Sequence, residues 1–349
     1  MKPTSKYEMI QHILQSLKQP GYRYKQIAEA IFKQRIGDYE HMQMLPQALR
    51  RALVEQLGNR VSAVTPVVKQ RSEQASKILF AIAGNERVEA VRLSYKEGWD
   101  SYCISSQCGC GFGCRFCSTG TMGLKRHLTV DEITDQLLHF HLDGYSLDSV
   151  SFMGMGEALA NPHLFHALKV MTDPGLFGLG QRRITVSTIG LLPGIQRLRR
   201  EFPQINLTYS LHSPFDDQRS ELMPINDRFP IRDVMLELDA HIQTTGRKVY
   251  IAYIMLRGLN DGAEHAEAVA AWLRGRGPWE HLYHVNLIPY NATEETPDYL
   301  QSDRERIRRF VQVLKSKGIQ VTVRTQFGSE IKAGCGQLYA SEPTRAKSE

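Results

Sequence analysis

The stretch CGCGFGCRFCSTG runs from Cys108 to Gly120 and contains four of the six cysteines of a 349-residue chain. Three of them, Cys110, Cys114 and Cys117, have the spacing C-x3-C-x2-C directly after a predicted strand. A closed zinc site takes four ligands, typically in two separated pairs, and an ordinary iron–sulfur cluster takes four cysteines. Three thiolates in one loop would leave one iron of such a cluster open to a substrate or cofactor.

The fourth cysteine of this stretch, Cys108, lies only two residues before Cys110. That spacing makes simultaneous ligation by both thiols awkward, so we interpret Cys108 as a small thiol beside the site. From the residues alone, a zinc site or a purely structural role stays open for the other three cysteines. In a reducing compartment, clustered cysteines more often bind metal or react than form structural disulfides.

Short strands alternate with helix-like segments from about residue 101 onward. The clearest helix is LTVDEITDQLLHFHL, in which Thr129 and Glu132 have the spacing of a capping box. Repeated β-then-α units predict an α/β fold with a parallel sheet, open or closed into a barrel, whose chemistry lies beyond the carboxyl ends of the strands. The predicted strands are SYCISSQ, DSVSFMG, RRITVSTIG, INLTYSLHS, RKVYIAYIML, LYHVNLIPYN and IQVTVRTQFG.

The first 60 residues have a different pattern, that of short amphipathic helices such as YKQIAEAIFKQRI and LPQALRRALVEQL. The run SKILFAIAGNERVEAVRLSY then predicts a β-hairpin with a Gly-Asn turn. We therefore expect a basic helical accessory domain over residues 1–75 and a β-hairpin extension over 76–100. The α/β core is expected over 101–340, and a disordered polar tail over 341–349.

The positive charge of the chain is concentrated at its beginning. The net charge is +6, and the first 80 residues contain 13 Lys/Arg against 6 Asp/Glu, whereas the remainder contains 30 against 31. A basic terminal module on a near-neutral body favours a polyanionic partner, most often nucleic acid. A solvated basic helix surface is the alternative.

No apolar run approaches the roughly 20 residues that span a bilayer. The N-terminus, MKPTSKYEMIQHILQSLKQ, lacks the apolar segment and small-residue cleavage site of a signal peptide. We therefore expect a cytoplasmic protein that has no membrane partner.

Two predicted strand ends carry candidate ligand contacts. In SFMGMGE, Gly156 permits close approach of the backbone to a ligand, and the carboxylate of Glu157 can accept a hydrogen bond from an ammonium group. In ITVSTIG, the side chain of Ser187 lies on the face opposite Val186. A Gly-rich strand end is common, so this signal is weak by itself.

The strand NLTYSLHS shows the same alternation. Thr208, Ser210 and His212 share one face, and the intervening Leu211 belongs to the other. A polar face on a strand between helices is unusual unless it lines a site. A hydroxyl satisfied inside the sheet is the alternative, and a lone histidine is more often structural than catalytic.

Three further residues are candidates for reaction chemistry. Cys335 lies in AGCGQLY between two glycines, which suits a reactive thiol on a loop better than a packed structural cysteine. Cys103 lies on the first core strand, where a core position is the simpler interpretation. Glu89 shares a strand face with apolar residues; desolvation there would suit a base, although an exposed edge-strand glutamate is the alternative.

The spacing of the cysteines after the first strand resembles the signature of radical SAM enzymes. The segments CISSQCGCGFGCRFCSTG, SFMGMGEALAN, STIG, SLHSPFDDQRSELMPIN, YHVNLIPYN and CGQLY resemble those of the subgroup that methylates an adenosine in 23S ribosomal RNA, the RlmN/Cfr family. This resemblance covers essentially the whole chain and implies a partial (β/α)6 barrel. It also implies a [4Fe-4S] cluster held by Cys110, Cys114 and Cys117, and two molecules of S-adenosylmethionine per turnover.

The resemblance also assigns roles to the other candidates. It implies that Cys335 is methylated first and becomes the methyl carrier, and that Cys103 later releases the product through a transient Cys103–Cys335 disulfide. It nominates Glu89 as the acceptor of the ring proton. The cofactor contacts that it implies are Gly156, Glu157, Ser187, the segment Ser210, Leu211 and His212, and Asn291.

Several details resemble the branch of this family that methylates adenine C8 rather than C2. These are CISSQCGC before the cluster loop, Ala158 after Glu157, and RTQFG before Cys335. C8 methylation in the peptidyl transferase centre implies resistance to ribosome-targeting antibiotics; C2 methylation, on the same adenosine or on tRNA, is the alternative. An RNA-binding module with a structural metal is the alternative of a different class.

The expected partners are 23S rRNA before complete ribosome assembly and an electron donor such as flavodoxin, with the protein acting as a monomer. One departure from the family pattern is Lys332, which stands where the family usually has an acid before the Cys335 loop.

Overall fold

The computed structural model describes residues 4–325, 331 and 333–338. Within these residues, the strands are β1 Thr65–Arg71, β2 Ala75–Ile82, β3 Glu86–Ser94, β4 Asp100–Cys103, β5 Gln107–Cys110, β6 Gly123–His127, β7 Ser149–Phe152, β8 Ile184–Thr188, β9 Asn206–Ser210, β10 Val249–Met255, β11 Tyr283–Pro289 and β12 Gln320–Val323. The helices are α1 Lys6–Ser16, α2 Tyr22–Phe32, α3 Gln47–Leu57, α4 Ser118–Thr121, α5 Val130–Leu142, α6 Leu164–Thr172, α7 Leu192–Glu201, α8 Asp216–Leu222, α9 Ile231–Thr245, α10 Ala263–Leu273 and α11 Arg304–Ser316.

Ten strands form one sheet in the order β1-β2-β3-β4-β7-β8-β9-β10-β11-β12. The first four strands pair antiparallel, and every pair from β4 to β12 is parallel. Each parallel strand is followed by at least one helix before the next, so six strand–helix units precede β12. The predicted α/β fold with a parallel sheet is therefore confirmed.

A separate two-stranded sheet carries the cysteine cluster. The run SYCISSQ was predicted as one strand, but β4 ends at Cys103 and β5 begins at Gln107, pairing antiparallel with β6. Gly109 has φ +73°, and a Cβ there would lie 1.9 Å from the carbonyl oxygen of Gly123. Only glycine allows this close pairing. The pairing leads the chain into residues 110–117, which we call the cluster loop.

The predicted N-terminal helices are present as α1, α2 and α3, which enclose their own apolar core. A buried ion pair joins this module to α5: Nζ of Lys6 contacts the carboxylate of Asp135, whose other oxygen accepts a hydrogen bond from the Ala63 N–H at 2.7 Å. Breaking such a pair leaves a buried charge uncompensated. The helical module is therefore held firmly against the core.

The predicted β-hairpin is formed by β2 and β3, and the predicted capping box of α5 is formed by Thr129 and Glu132. Sequence reasoning missed β1, which lies inside the range expected to be helical. No helix in the described part of the chain is long and apolar enough to cross a membrane. The predicted disordered tail, 341–349, Lys332 and most of RTQFG lie outside the described residues.

Candidate active site

One cavity collects most of the candidate residues at the carboxyl ends of the parallel strands; we call it the central cavity. The space free of protein atoms, including the part open to solvent, is about 970 Å³. Among the predicted residues, its lining includes Cys110, Cys114, Cys117, Gly156, Glu157, Ser187, Ser210, His212 and Cys335.

The three cysteines of the cluster loop face this cavity from β5 and the segment after it. Burial raises the pKa of Cys110 to about 12 and raises the pKa values of Cys114 and Cys117 as well. The proximity of the thiols to one another adds to these rises, because neighbouring thiolates repel. Buried thiols in an apolar wall are poor surface nucleophiles but suitable ligands for a metal group that displaces their protons.

The donor set fits an iron–sulfur cluster better than a single ion. A lone zinc ion holds each thiolate at about 2.3 Å, which requires tight convergence of the ligands. Within the residues that the structure describes, no three His, Cys, Asp or Glu side chains converge in that way. An iron–sulfur cluster takes thiolates as its ligands, and all three cysteines line the central cavity.

Cys108 points away from the central cavity. Its thiol lies 3.5 Å from Oε2 of Glu86 and 3.3 Å from the carbonyl oxygen of Arg87. The side chain is 1% exposed and belongs to the main apolar core. These contacts agree with the interpretation of Cys108 as a thiol beside the site, which stays a prediction.

The strand end after β7 brings Gly156 and Glu157 to the cavity. Gly156 has φ +95°, and a Cβ there would lie 2.4 Å from the side chain of Gln107. A larger residue at this position would therefore press against Gln107, the first residue of β5. The Glu157 carboxylate accepts hydrogen bonds from the backbone N–H groups of Leu159 at 3.2 Å and Ile189 at 2.9 Å. Burial nevertheless raises the pKa of Glu157 to about 7.

The strand β9 shows the predicted alternation. The side chains of Ser210 and His212 line the central cavity, whereas that of Leu211 is buried in the apolar core. The Leu211 side chain therefore does not line the cavity, and its N–H donates to the carbonyl oxygen of Ala252 at 3.1 Å. His212 has φ +58°, and its Nδ1 accepts the N–H of Ile254 at 3.0 Å; burial lowers its pKa to about 3, which keeps the ring neutral.

A buried arginine that sequence reasoning missed supports these strand ends. Arg219 is 0% exposed, and its guanidinium donates to the carbonyl oxygens of Leu211 at 3.0 Å, Ser210 at 3.0 Å and Ile189 at 2.8 Å. It also donates to Oδ1 of Asn226 at 2.8 Å. An arginine on a short helix gives no pattern from which this burial could be predicted, because the acceptors come from separate strands.

The loop that carries Cys335 is fixed against the cluster loop. The N–H of Ser118 donates to the carbonyl oxygen of Gly336 at 3.0 Å, and Nδ2 of Asn291 donates to the carbonyl oxygen of Cys335 at 3.2 Å. A Cβ on Gly334 would lie 2.5 Å from the Asn291 amide nitrogen. Asn291 therefore lies beside the Cys335 loop, and the flanking glycines allow this close contact.

The structure brings Cys103 close to Cys335, although the two lie far apart in sequence. Both are free thiols. Burial raises the pKa of Cys103 to about 12, and the nearby Cys335 raises it further, whereas the charge of Arg324 opposes the rise. Arg324 is a second residue that sequence reasoning missed: its Nη1 lies 3.7 Å from Sγ of Cys335 and 3.3 Å from Sδ of Met153.

Glu89 is buried, at 4% exposed, but it does not line the central cavity. Its Oε1 lies 3.0 Å from Nζ of Lys77 on the neighbouring strand. Its backbone carbonyl accepts the hydroxyl of Ser105 at 2.6 Å, which ties β3 to the segment before the cluster loop. Among the predicted catalytic residues, Cys335 lines the central cavity, whereas neither Cys103 nor Glu89 does.

Three thiols of a C-x3-C-x2-C loop at the carboxyl edge of a parallel sheet define the site of a radical SAM enzyme. Residues 104–273 match the model of the Radical SAM superfamily. The chain belongs to the family of the Cfr ribosomal RNA large subunit methyltransferases, as its similarity to individual members shows.

Two curated relatives and one solved structure carry this assignment. The chain is 61% identical to the ribosomal RNA large subunit methyltransferase Cfr of Clostridium botulinum strain Hall, covering 98% of this chain and 100% of the relative. It is 60% identical to the Cfr of Shouchella clausii, covering 96% of each. The crystal structure of a radical SAM methyltransferase from Sphaerobacter thermophilus has a TM-score of 0.90 and 37% identity, over 97% of this chain and 100% of the other. The predicted family is confirmed.

Proposed function

We propose that this protein methylates C8 of an adenosine in the peptidyl transferase centre of 23S rRNA and so confers resistance to antibiotics that bind there. The observation that carries the proposal is the convergence of Cys110, Cys114, Cys117 and Cys335 on one cavity, with Cys103 beside it. The Cfr relatives are named as large subunit rRNA methyltransferases, and preference for C8 follows that name.

The cluster-loop cysteines would hold a [4Fe-4S] cluster, and Gly156, Glu157, Ser187 and the β9 end would hold S-adenosylmethionine. Together these groups supply one-electron chemistry that activates an inert C–H bond. Such chemistry is needed because an electron-poor aromatic carbon is a weak nucleophile toward a methyl sulfonium. The surrounding side chains keep the site apolar and position both groups.

Cys335 is proposed to act as methyl carrier. Its Sγ loses a proton and forms a bond to the methyl carbon as the sulfonium–methyl bond of one S-adenosylmethionine breaks. The one-electron chemistry that the cluster and a second S-adenosylmethionine would supply would activate that methyl group while it is held on Cys335. Once the carbon is bonded to adenine, Cys103 attacks Sγ of Cys335; a sulfur–sulfur bond forms and the carbon–sulfur bond breaks, leaving its electron pair and then a proton on the product.

Glu89 remains a proposal as the acceptor of the ring proton. Its carboxylate oxygen Oε1 lies 3.0 Å from Nζ of Lys77. Its position outside the central cavity means that the proton must reach it through an intervening group. Three expectations stay predictions: that an electron donor such as flavodoxin reduces the protein, that the protein acts on rRNA before ribosome assembly is complete, and that it is a monomer.

Binding to rRNA is proposed to use the basic helical module. Its excess of Lys and Arg can neutralise phosphates without reading sequence. A target base inside folded RNA must be extruded to reach a buried thiol. The buried Lys6–Asp135 pair would hold the module in a fixed relation to the cavity during this step.

Mass spectrometry of 23S rRNA from cells that express the protein tests this function. We expect one additional methyl group at C8 of the target adenosine, and none with Cys335→Ala. A methyl group found only at C2 would overturn the C8 assignment. Protein purified without oxygen should be brown and bind about four irons; a colourless zinc protein would instead support an RNA-binding module with a structural metal.

A further inference from the structure

The turn between β3 and β4 carries a rigid aromatic pair. The rings of Tyr95 and Trp99 are stacked, with centroids 3.9 Å apart and planes 4° from parallel. The turn is closed by hydrogen bonds from the Tyr95 N–H to the Trp99 carbonyl at 3.0 Å and from the Gly98 N–H to the Tyr95 carbonyl at 3.0 Å. Trp99 is 39% exposed, so a large flat surface is held in one orientation toward solvent.

This pair lies beside an opening that leads to the methyl carrier. Tyr95 and Arg324 line a cleft between the β3–β4 turn and the end of β12; we call it the outer cleft. The outer cleft shares Leu93 and Arg324 with a second cavity, and that cavity is also lined by Cys335. Strands β3 and β12 are not neighbours in the sheet, so this opening lies where the sheet leaves a gap.

We propose that Trp99, backed by Tyr95, is a stacking platform for an unpaired nucleotide base that adjoins the target adenosine in the RNA. The proposal rests on the proposed function, because it assumes that an extruded adenine passes through the outer cleft to Cys335. RNA that presents one base to a buried site has unpaired neighbours, and such bases commonly stack on aromatic side chains.

Stacking, not charge, is the attraction that this turn offers. Lys96 and Glu97 are the two charged residues between Tyr95 and Trp99 in the sequence, and their charges are opposite, so the turn has no net charge. The Trp99 contribution to RNA affinity should therefore be nearly independent of salt. Lysines and arginines of the basic helical module, by contrast, should set the slope of affinity against salt concentration.

The test compares Trp99→Ala and Trp99→Phe in the full chain, with Trp279→Ala as the matched control. Trp279 is 38% exposed and lies between α10 and β11, away from the β3–β4 turn in sequence and without Tyr95 as a stacking partner. Binding of a labelled RNA hairpin that contains the target adenosine is measured by fluorescence anisotropy at several salt concentrations. Trp99→Ala should weaken binding by roughly 10- to 100-fold at an unchanged salt slope, while Trp99→Phe and Trp279→Ala should bind within about threefold of the unaltered protein.

Hairpins with an abasic site on the 5′ or the 3′ side of the target identify the stacked base. The Trp99→Ala effect should vanish with one of these two RNAs, because the base that stacks is already missing. An equal loss with all RNAs, or equal affinities of Trp99→Ala and Trp279→Ala, overturns the proposal. Thermal unfolding of each variant separates loss of the platform from loss of the fold, since Trp99→Phe preserves the ring stack.

Failure of the proposed function has a different signature. In that case the unaltered protein fails to bind the hairpin or to methylate its own Cys335, which intact-mass spectrometry detects without RNA. If only the platform proposal fails, the unaltered protein still binds the hairpin and still methylates Cys335. Trp99→Ala and Trp279→Ala then bind the RNA with equal affinity.

Discussion

Nη1 of Arg324 lies 3.7 Å from Sγ of Cys335, and no carboxylate among the described residues forms an ion pair with this arginine. A guanidinium beside the thiol that we propose as methyl acceptor can hold the sulfur in position for the transfer. We expect Arg324→Met to slow methylation of Cys335 by roughly 10- to 100-fold, the value of one hydrogen bond to a charged group. Mass spectrometry of the protein during a single turnover without RNA measures this rate. Arg324→Lys should recover part of the methylation rate. Equal methylation rates for Arg324→Met and the unaltered protein would contradict a role for this cation.

The interpretation of Cys108 leads to a prediction about metal content. Cys108→Ala should retain about four irons and the absorption of the cluster, because its thiol is directed toward Glu86. Cys114→Ala should lose most of the iron, because its thiol lines the central cavity. Iron analysis of protein purified without oxygen distinguishes them, and loss of iron in both variants would make Cys108 part of the cluster site.

Glu157 should make the stability of the metal-free protein depend on pH. Burial raises its pKa to about 7 from the ordinary 4.5, so between these pH values the folded state keeps a proton that the unfolded state releases. The free energy of unfolding must therefore fall as the pH rises from about 4.5 to about 7, by at most about 3 kcal/mol. In urea denaturation, the free energy of unfolding of Glu157→Gln should fall less over this pH range than that of the unaltered protein. Glu55→Gln, at an exposed position, should show the same fall as the unaltered protein. An identical pH dependence for Glu157→Gln and the unaltered protein would remove this carboxyl group from the explanation.

The buried guanidinium of Arg219 should be essential to stability. Arg219→Met leaves the carbonyl oxygens of Leu211, Ser210 and Ile189 without this donor. At about 1–3 kcal/mol for each buried acceptor left unpaired, the free energy of unfolding should fall by roughly 3 kcal/mol or more. Arg232→Met, at an exposed position on α9, should change it by less than about 0.5 kcal/mol. Denaturant titration gives both values, and a midpoint shift no larger for Arg219→Met than for Arg232→Met would refute the prediction.

Local patterns gave accurate predictions for several elements whose deciding interaction is short-range, although they missed β1, which pairs with the adjacent strand β2. The capping box of α5, the β2–β3 hairpin and the alternation around His212 each depend on residues within a few positions of one another. The boundary between β4 and β5 was not predictable in this way. It depends on Gly109 meeting the backbone of Gly123, a contact between two strands of a second sheet.

The sequence by itself determined the cluster loop, the order of strands and helices, and the family, because cysteine spacing and hydrophobic period are properties of neighbouring residues. Only the tertiary structure decided that Cys103 lies near Cys335 and beside Arg324, that Glu89 is adjacent to Lys77 outside the cavity, and that Arg219 joins the ends of two strands. The physical reason is the parallel sheet, which gathers the carboxyl ends of strands distant in sequence at one edge. Contacts made there depend on how the sheet and its loops pack, and no local pattern in the chain records them.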